Sequence, residues 1–554
     1  MPVAVPVRLI RPIQLIPATR QICPSRLSAV RRLLRRVCAT AAAALAAVAL
    51  CACSNPGPPR DTHAAADTVT LFPIANYDQN VDHWLDPDSA DYDKPFLSAD
   101  DQRAQFRALY ARYFGTGSGA PSPWNAAFVA GQVYCQQGVD IAGLQQRRLA
   151  RYDNTGKSGD ELGYGENFRP HDKAWIDAIA RNMSVDQFTR DATYRPQQRA
   201  IATTSLMVRE LPTTDPSFYD RRLAGEGYPF DNLQISATRP GTPLYVLGSS
   251  ADGAWRYVQT PDVQGWVRSE GLAMTDARFV DTWRAATARS LGAVTVALAP
   301  VTDSRGVFRF DAPAGTLLPL VGGSAGTGPA GRITVLVPAR GADGDALMRS
   351  AELSPTQIAP APLAATPRHL AMLMKTLIGR PYGWGNSGLY NDCSSELQSI
   401  FAVFGVWLPR HSSTQMSAGR MIDLSSSSPA QRLDYLAQHG EPMRTLIYIG
   451  GHVMLYIGNT MRNGVALPVV YQDVWGLRPA DDSRRAVIGG SVILPLFEHI
   501  PEDATLQSLA GTRIFQLSIL GAPTRAATPV PASAPGSTAT PATPAPQDDE
   551  NPAG

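Results

Sequence analysis

The stretch Arg380-Pro-Tyr-Gly-Trp-Gly-Asn-Ser-Gly-Leu-Tyr-Asn-Asp-Cys-Ser-Ser-Glu-Leu397 decides how the C-terminal part of this chain folds. Turn-forming Gly, Asn and Asp residues end at Asp392, and an apolar helical pattern begins directly after Cys393. The sequence therefore predicts a helix that starts at a cysteine. Free backbone N–H groups and the helix dipole at that end favour the thiolate form of Cys393.

A histidine opens a second informative segment, Gly451-His452-Val-Met-Leu-Tyr-Ile-Gly458, which has the pattern of a buried strand. A thiol that can ionise and a histidine are the minimum needed for a cysteine nucleophile. The alternative is a structural cysteine and an unrelated histidine, because free cysteines commonly pack as small hydrophobic residues. The turn-to-helix context of Cys393 favours the nucleophile.

Length and charge limit the classes of protein that the chain can represent. Its 554 residues are too many for one hydrophobic core, so we expect several domains. The formal net charge of +2 gives no indication of a nucleic-acid partner or of an acidic surface as partner.

The N-terminal segment has the pattern of an export signal. Four arginines between residues 31 and 36 precede a short apolar run that ends at Leu50, which is too short for a comfortable membrane span. The following Cys-Ala-Cys53-Ser resembles a bacterial lipobox, with Cys53 as the acylated first residue of the mature protein. Residues 1–52 would then be a lipoprotein-type signal peptide and residues 53–68 a tether. A plain cleaved signal is the alternative.

This interpretation predicts where the protein is located. An exported protein with a lipid at Cys53 would lie at the periplasmic face of a bacterial membrane. Ser54 and Asn55 follow Cys53, as in lipoproteins sorted to the outer membrane of Gram-negative bacteria.

Cys135 is expected to pack as an apolar residue, because a disulfide with Cys393 would silence the nucleophile.

The rest of the chain divides by composition. Short β-type runs with Gly and Asp turns indicate small β-barrels, and Pro-rich or Ala/Pro/Thr-rich stretches cannot bury a core. The predicted segments are a helical region at 69–210, β-barrels at 225–285 and 290–352, a linker at 354–367, a last folded unit at 368–520 and a disordered tail at 521–554.

Residues 368–520 resemble the NlpC family of bacterial cell-wall cysteine peptidases, which have a papain-like fold. The matching motifs, in the family's order, are Pro381-Tyr-Gly-Trp-Gly385, Asp392-Cys-Ser394, Leu408-Pro-Arg410 followed by Ser412 and Gln415, and Gly451-His452. The whole chain is similar to one subfamily. That similarity implies an α+β multidomain fold with a helical stabilising domain, two small SH3-like β-barrels and a C-terminal papain-like α+β peptidase domain.

The resemblance implies catalytic roles for three residues. Cys393 would be the nucleophile and His452 the general base. Gln472 stands where the subfamily usually has a histidine that orients the base, and its side-chain oxygen can accept from the imidazole N–H. Asp473 is the alternative, but it points to the opposite strand face, so both residues cannot serve.

Substrate contacts are also implied by the resemblance. In relatives, residues at the positions of Tyr382, Asp392 and Ser394 recognise the free amine of an L-Ala-γ-D-Glu stem peptide. Glu226 is expected to add a second carboxylate, and a substrate ammonium would offset the burial of Asp392. The chain would then select turnover peptides with a free L-Ala amine, and cleavage of intact murein is the alternative. Asp392 can equally cap the helix, and the two roles can coexist. Trp384 can pack in the core or line the pocket.

The function implied by the resemblance is hydrolysis of peptidoglycan stem peptides, at the bond from γ-D-glutamate to the diamino acid, with no cofactor and no metal. The alternative is a murein-peptide-binding lipoprotein whose site, altered at Gln472, is idle. His369, His411 and His439 lack the spacing of metal ligands and are interpreted as surface or loop residues. The expected partners are stem peptides and, through Cys53, a membrane.

Overall fold

The computed structural model describes residues 69–134, 140–189, 193–223, 227–322 and 331–521. The predicted signal peptide and tether, with Cys53, lie outside these ranges, and so do Cys135 and Glu226. None of the helices in the described ranges is both long enough and apolar enough to cross a membrane.

The N-terminal part is mainly helical. Its three longest helices, Ala99–Phe114, Ile141–Tyr152 and Lys173–Met183, each begin after a residue whose side chain accepts from a backbone N–H in the first turn. The shorter helices and turns are Ile74–Asn76, Val81–Trp84, Ala126–Phe128, Val129–Val133, Gly159–Glu161, Val185–Thr189 and Pro196–Gln198.

A seven-stranded sheet forms the first β unit. In spatial order its strands are Gln234–Thr238, Leu206–Arg209, Gln264–Arg268, Trp255–Gln259, Pro243–Ser249, Arg199–Ala202 and Leu272–Met274. Two of these strands precede residue 210, where the sequence predicted helical structure throughout. Each is only four residues long, too short for its alternation to stand out. The short helix Ser269–Gly271 lies between the strands Gln264–Arg268 and Leu272–Met274, and the helix Ala277–Arg289 follows the latter.

A second β unit lies between that helix and the C-terminal unit. Its strands are Leu291–Val294, Leu298–Thr302, Phe308–Pro313, Leu317–Pro319, Ile333–Arg340, Ala346–Leu353 and Ile358–Pro360. They enclose a shared apolar core that includes Val301, Phe310 and Val335. The last strand pairs with the first, so the stretch predicted as a linker supplies a strand to this unit.

The C-terminal unit is built on a second seven-stranded sheet. In spatial order its strands are Val69–Leu71, Arg485–Pro495, Val465–Leu477, Val453–Arg462, Thr445–Tyr448, Gln516–Ile519 and Arg420–Asp423. The first of these comes from the start of the described chain and pairs in parallel with its neighbour. The helices and turns of this unit are Pro367–Leu377, Trp384–Leu389, Cys393–Val403, Thr414–Ala418, Pro429–His439 and Leu509–Gly511.

Two helices cover opposite faces of this sheet. The helix Cys393–Val403 shares a core with Val453, and the helix Pro429–His439 shares a core with Met454. Because successive residues of a strand point to opposite faces, each strand presents alternate side chains to the cysteine helix. The chain is thus a multidomain α+β protein in which the cysteine helix packs against one face of this sheet.

Candidate active site

The start of the cysteine helix is fixed by its own capping residues. The Asp392 carboxylate accepts from the backbone N–H of Ser395 at 3.0 Å, and the Ser395 hydroxyl accepts from the backbone N–H of Asp392 at 2.9 Å. This reciprocal arrangement is a capping box. It confirms the predicted helix start and places Cys393, which is buried, at the first helical position.

Asp392 also forms a buried ion pair with Arg410. The guanidinium donates to both carboxylate oxygens, at 3.2 and 2.5 Å, and to the hydroxyl of Ser394 at 2.8 Å. Its Nε donates to the hydroxyl of Ser236 in the first β unit at 2.8 Å. Burial acts to raise the pKa of Asp392, but Arg410 and the Ser395 backbone N–H outweigh it, so this pKa lies below its usual value.

Arg410 is a site residue to which sequence reasoning gave no role. Its motif, Leu408-Pro-Arg410, was a recognisable signal, but the pairing with Asp392 depends on the fold. The pairing also corrects one expectation. Asp392 does not need a substrate ammonium to offset its burial, because Arg410 already supplies the positive charge.

His452 lies against Gln472. The imidazole Nε2 and the Gln472 Oε1 are 2.7 Å apart, and Gln472 is almost completely buried. Because an amide oxygen can only accept, Nε2 carries the hydrogen and Nδ1 is left as a base. Burial lowers the pKa of His452 to about 4, and the hydrogen bond to Gln472 acts in the opposite direction. The imidazole is therefore neutral at neutral pH.

The sulfur of Cys393 lies against the strand Val453–Arg462, which begins directly after His452. The backbone N–H of Val453, the residue after His452, donates to this sulfur. Burial and the adjacent Asp392 raise the pKa of the Cys393 thiol to about 12. The expectation that the helix start favours a thiolate is thus wrong, because burial and the adjacent Asp392 favour the neutral thiol. Nucleophilic attack requires a base to take the thiol proton.

Asp473, the alternative to Gln472, points to the opposite face of the sheet. It is paired in the sheet register with Ser491, whose hydroxyl donates to Glu396 at 2.7 Å. Burial, followed by the neighbouring Glu396 and Asp392 carboxyls, raises the pKa of Asp473 well above its usual value. Gln472 rather than Asp473 therefore contacts His452, which is the residue that the family resemblance favoured. Its catalytic role stays a prediction.

Asp392, Cys393, Ser394 and Arg410 border a cleft. Its lining residues are Ile235, Tyr382, Trp384, Gly385, Asp392, Cys393, Ser394, Arg410, His411 and Gly451. Three of the predicted substrate contacts, Tyr382, Asp392 and Ser394, are thus brought together with Cys393. The fourth, Glu226, lies outside the described residues. His411, which was interpreted as a surface or loop residue, also lines the cleft.

The first β unit forms one wall of the cleft. The Trp384 indole N–H donates to the backbone carbonyl of Asp231 at 3.0 Å, and the Gln234 side chain donates to the carbonyl of Gly385 at 2.9 Å. Gly385 has a φ of 58°, and a Cβ there would lie 2.7 Å from Gln234. Phe230 packs edge-on against Trp384. Trp384 therefore both lines the cleft and anchors the two units to each other.

Within the described ranges, no three His, Cys, Asp or Glu side chains are grouped so that they could hold a metal ion.

Two family models match separate segments of the chain. Residues 216–268 match the SH3 domain model of the SH3b1 type, and residues 379–478 match the NlpC/P60 family model. The probable endopeptidase p60 of Listeria monocytogenes serovar 1/2a is 30% identical over 101 residues, which are 18% of this chain and 20% of that protein. The gamma-D-glutamyl-L-lysine dipeptidyl-peptidase of Bacillus subtilis (strain 168) is 33% identical over 86 residues, which are 15% of this chain and 29% of that protein.

The chain thus spans less than a third of the length of either curated relative. The similarity to a solved structure is more extensive. An NlpC/P60 endopeptidase from Photobacterium damselae subsp. piscicida aligns with a TM-score of 0.69 and 25% identity, over 82% of this chain and 99% of that one. The chain therefore contains an SH3 domain followed by an NlpC/P60 domain, within an α+β multidomain fold.

Proposed function

We propose that this protein is a cysteine peptidase that hydrolyses peptidoglycan stem peptides at the bond from γ-D-glutamate to the diamino acid. One observation carries the proposal. The His452 imidazole is held by Gln472 at 2.7 Å, while the next residue, Val453, contacts the Cys393 sulfur at the start of a helix. The sulfur thus contacts the residue next to the histidine, and the histidine contacts a residue suited to orient it, which supports a cysteine nucleophile with a histidine base.

The reaction begins with a proton transfer. Nδ1 of His452 takes the thiol proton as the sulfur of Cys393 attacks the γ-carbonyl carbon of the glutamyl residue. Backbone N–H groups at the start of the helix stabilise the oxyanion that forms. His452 then gives the proton to the leaving amine, and the carbon–nitrogen bond breaks to leave a thioester. Water, deprotonated by His452, attacks the thioester and releases the acid and the thiol.

Gln472 fixes the tautomer of His452 that both proton transfers require. Its oxygen holds the hydrogen on Nε2, so the free electron pair of the imidazole is on Nδ1. Because the amide carries no negative charge, it raises the pKa of His452 less than a carboxylate in its place would. The base is therefore weak, and we expect turnover to be sustained down to mildly acidic pH.

A second candidate is a murein-peptide-binding protein with an idle site. The observation in its favour is the raised pKa of Cys393, which disfavours a resting thiolate. Binding without turnover separates this candidate from the peptidase.

The test uses a synthetic tripeptide, L-Ala-γ-D-Glu linked to a diamino acid, followed by mass spectrometry. The proposal predicts two products, the dipeptide L-Ala-D-Glu and the free diamino acid. Cleavage at the L-Ala to D-Glu bond would contradict the proposed bond. An intact peptide that still binds would support the second candidate instead.

We also propose that the protein is an outer-membrane lipoprotein anchored through Cys53. This proposal rests on the sequence alone, because Cys53 lies outside the described residues. The Cys53→Ser variant should leave the membrane fraction in cell fractionation. A variant that stays in the membrane fraction would rule out this anchor.

A further inference from the structure

The cleft contains one imidazole to which the proposed mechanism gives no role, that of His411. His411 is half-buried and lines the cleft together with Cys393. Its backbone carbonyl accepts from the N–H of Gln415 and from the hydroxyl of Thr414. Within the described ranges, its ring nitrogens have no hydrogen-bond partner. The loop is therefore fixed by its backbone while the ring stays available to a ligand.

Two other polar side chains that line the cleft, those of Arg410 and Ser394, are already engaged. Arg410 directs its Nε to Ser236 and its two terminal nitrogens to Asp392 and Ser394. The Ser394 hydroxyl donates to Asp392 at 3.1 Å. A charged substrate group that enters here would thus meet the His411 ring, whose nitrogens are free to bind it.

The charges of the residues near His411 determine which substrate group its ring can bind. Burial, and then the positive charge of Arg410, lower the pKa of His411 to about 4, while Asp392 acts in the opposite direction. A cation beside the ring repels a substrate ammonium and attracts a substrate carboxylate. A carboxylate that loses its water on binding needs a hydrogen-bond donor, and an imidazole N–H is one.

On the proposed function, the substrate brings such a carboxylate to the nucleophile. A glutamyl residue linked through its γ-carboxyl keeps a free α-carboxylate a few bonds from the carbonyl that Cys393 attacks. We propose that His411 binds this α-carboxylate and makes the site selective for a free acid over an uncharged amide at that position. This inference rests on the proposed function and adds a specificity-determining residue to the same cleft.

The test compares two tripeptides that differ only in the glutamyl α-substituent, a carboxylate or a carboxamide. Wild-type protein should cleave the carboxylate with the higher kcat/KM. His411→Ala should lower kcat/KM for the carboxylate about tenfold to a hundredfold, mainly through KM, since a charge-assisted hydrogen bond is lost. It should leave the carboxamide almost unchanged, so that the preference disappears. His499→Ala, at a histidine whose side chain is 86% exposed, is the matched control and should change neither value.

Proton uptake gives a readout that a structural role would not produce. Binding of the carboxylate should raise the pKa of His411, so titration calorimetry in buffers of different ionisation enthalpy should show uptake of a proton near pH 6. We expect this uptake in the Cys393→Ala protein and its absence in Cys393→Ala combined with His411→Asn.

The outcomes separate this inference from the function on which it rests. An unchanged substrate preference in a folded His411→Ala protein, with wild-type cleavage intact, would overturn the role of His411 alone. If wild-type protein cleaves neither tripeptide, the proposed function fails, and proton uptake on binding then decides whether His411 still recognises the carboxylate.

Discussion

Two groups of buried carboxyls lie near Cys393, and they behave in opposite ways. Asp392 is paired with Arg410, and its pKa lies below the usual value. Glu396 and Asp473 are as deeply buried, but their pKa values are raised. Burial alone thus does not determine whether a carboxyl in this site is charged.

The difference comes from the partners that each carboxyl has. Asp392 accepts from a guanidinium, whereas Glu396 accepts from neutral groups, the hydroxyls of Tyr471 and Ser491 and the amide of Asn391. Within the described residues, the Oδ1 of Asp473 has no hydrogen-bond partner. A full positive charge offsets the desolvation of a carboxylate, and neutral donors do so only in part.

The largest effect should follow from breaking the charged pair. Arg410→Met leaves Asp392 buried without its cation, so we expect the free energy of unfolding to fall by about 3–5 kcal/mol. Urea denaturation measures this change. Adding Asp392→Asn to Arg410→Met should recover part of the loss, since the unpaired charge is then removed. Arg513→Met, at an exposed arginine, is the control. A loss below about 1 kcal/mol would show that the pair is not the main support of this loop.

A smaller effect is expected from substitutions at the adjacent strand residues Gln472 and Asp473, of which Gln472 contacts His452. Gln472→Ala should lower kcat by roughly one to three orders of magnitude, because His452 loses the group that fixes its tautomer. Asp473→Asn, next to it on the other strand face, should lower kcat much less. Steady-state kinetics on the tripeptide measures both. The reverse ranking would mean that Asp473 orients the histidine during turnover.

The effects that are smallest per unit of pH concern how the free energy of unfolding depends on pH. The pKa of Asp473 is raised in the folded chain, so its contribution is most favourable below the unfolded pKa of about 4 and declines as pH rises towards the folded pKa. Asp473→Asn removes this decline. The free energy of unfolding of the Asp473→Asn protein, relative to wild type, should therefore increase between pH 4 and pH 8, by at most about 1.4 kcal/mol per pH unit.

Asp392 should show the opposite trend. Its folded pKa is lowered, so its stabilising contribution is present above the unfolded pKa and is lost as pH falls through the folded value. Asp392→Asn should thus cost most at pH 7 and least near pH 3. If the two variants depended on pH in the same direction, the contrast between the two groups of carboxyls would be wrong.

Much of the site could be predicted because its signals are local. The run of turn residues before Cys393 marked a helix start, and the capping box at Asp392 is the physical reason. The choice of Gln472 over Asp473 rested on the family resemblance, and the alternation of a strand showed only that both residues cannot serve. Such features depend on residues a few positions apart, which a single sequence displays.

The remaining features depend on contacts between distant parts of the chain. Arg410 meets Ser236 across 174 positions, and Trp384 meets Asp231 across 153. The raised pKa of Cys393 depends on burial by the folded sheet, so the helix dipole alone gave the wrong direction. The strands Arg199–Ala202 and Leu206–Arg209 are set by their pairing partners and not by a long periodic pattern.

The most direct test of the central claim is turnover of the tripeptide by the Cys393→Ala protein, measured by mass spectrometry beside wild type. We expect the wild-type protein to release L-Ala-D-Glu and the variant to release none above the uncatalysed rate, while near-UV circular dichroism shows that both are folded. Since alanine can neither attack the carbonyl nor form a thioester, no other result is compatible with the mechanism. Residual hydrolysis within tenfold of the wild-type rate would show that Cys393 is not the nucleophile.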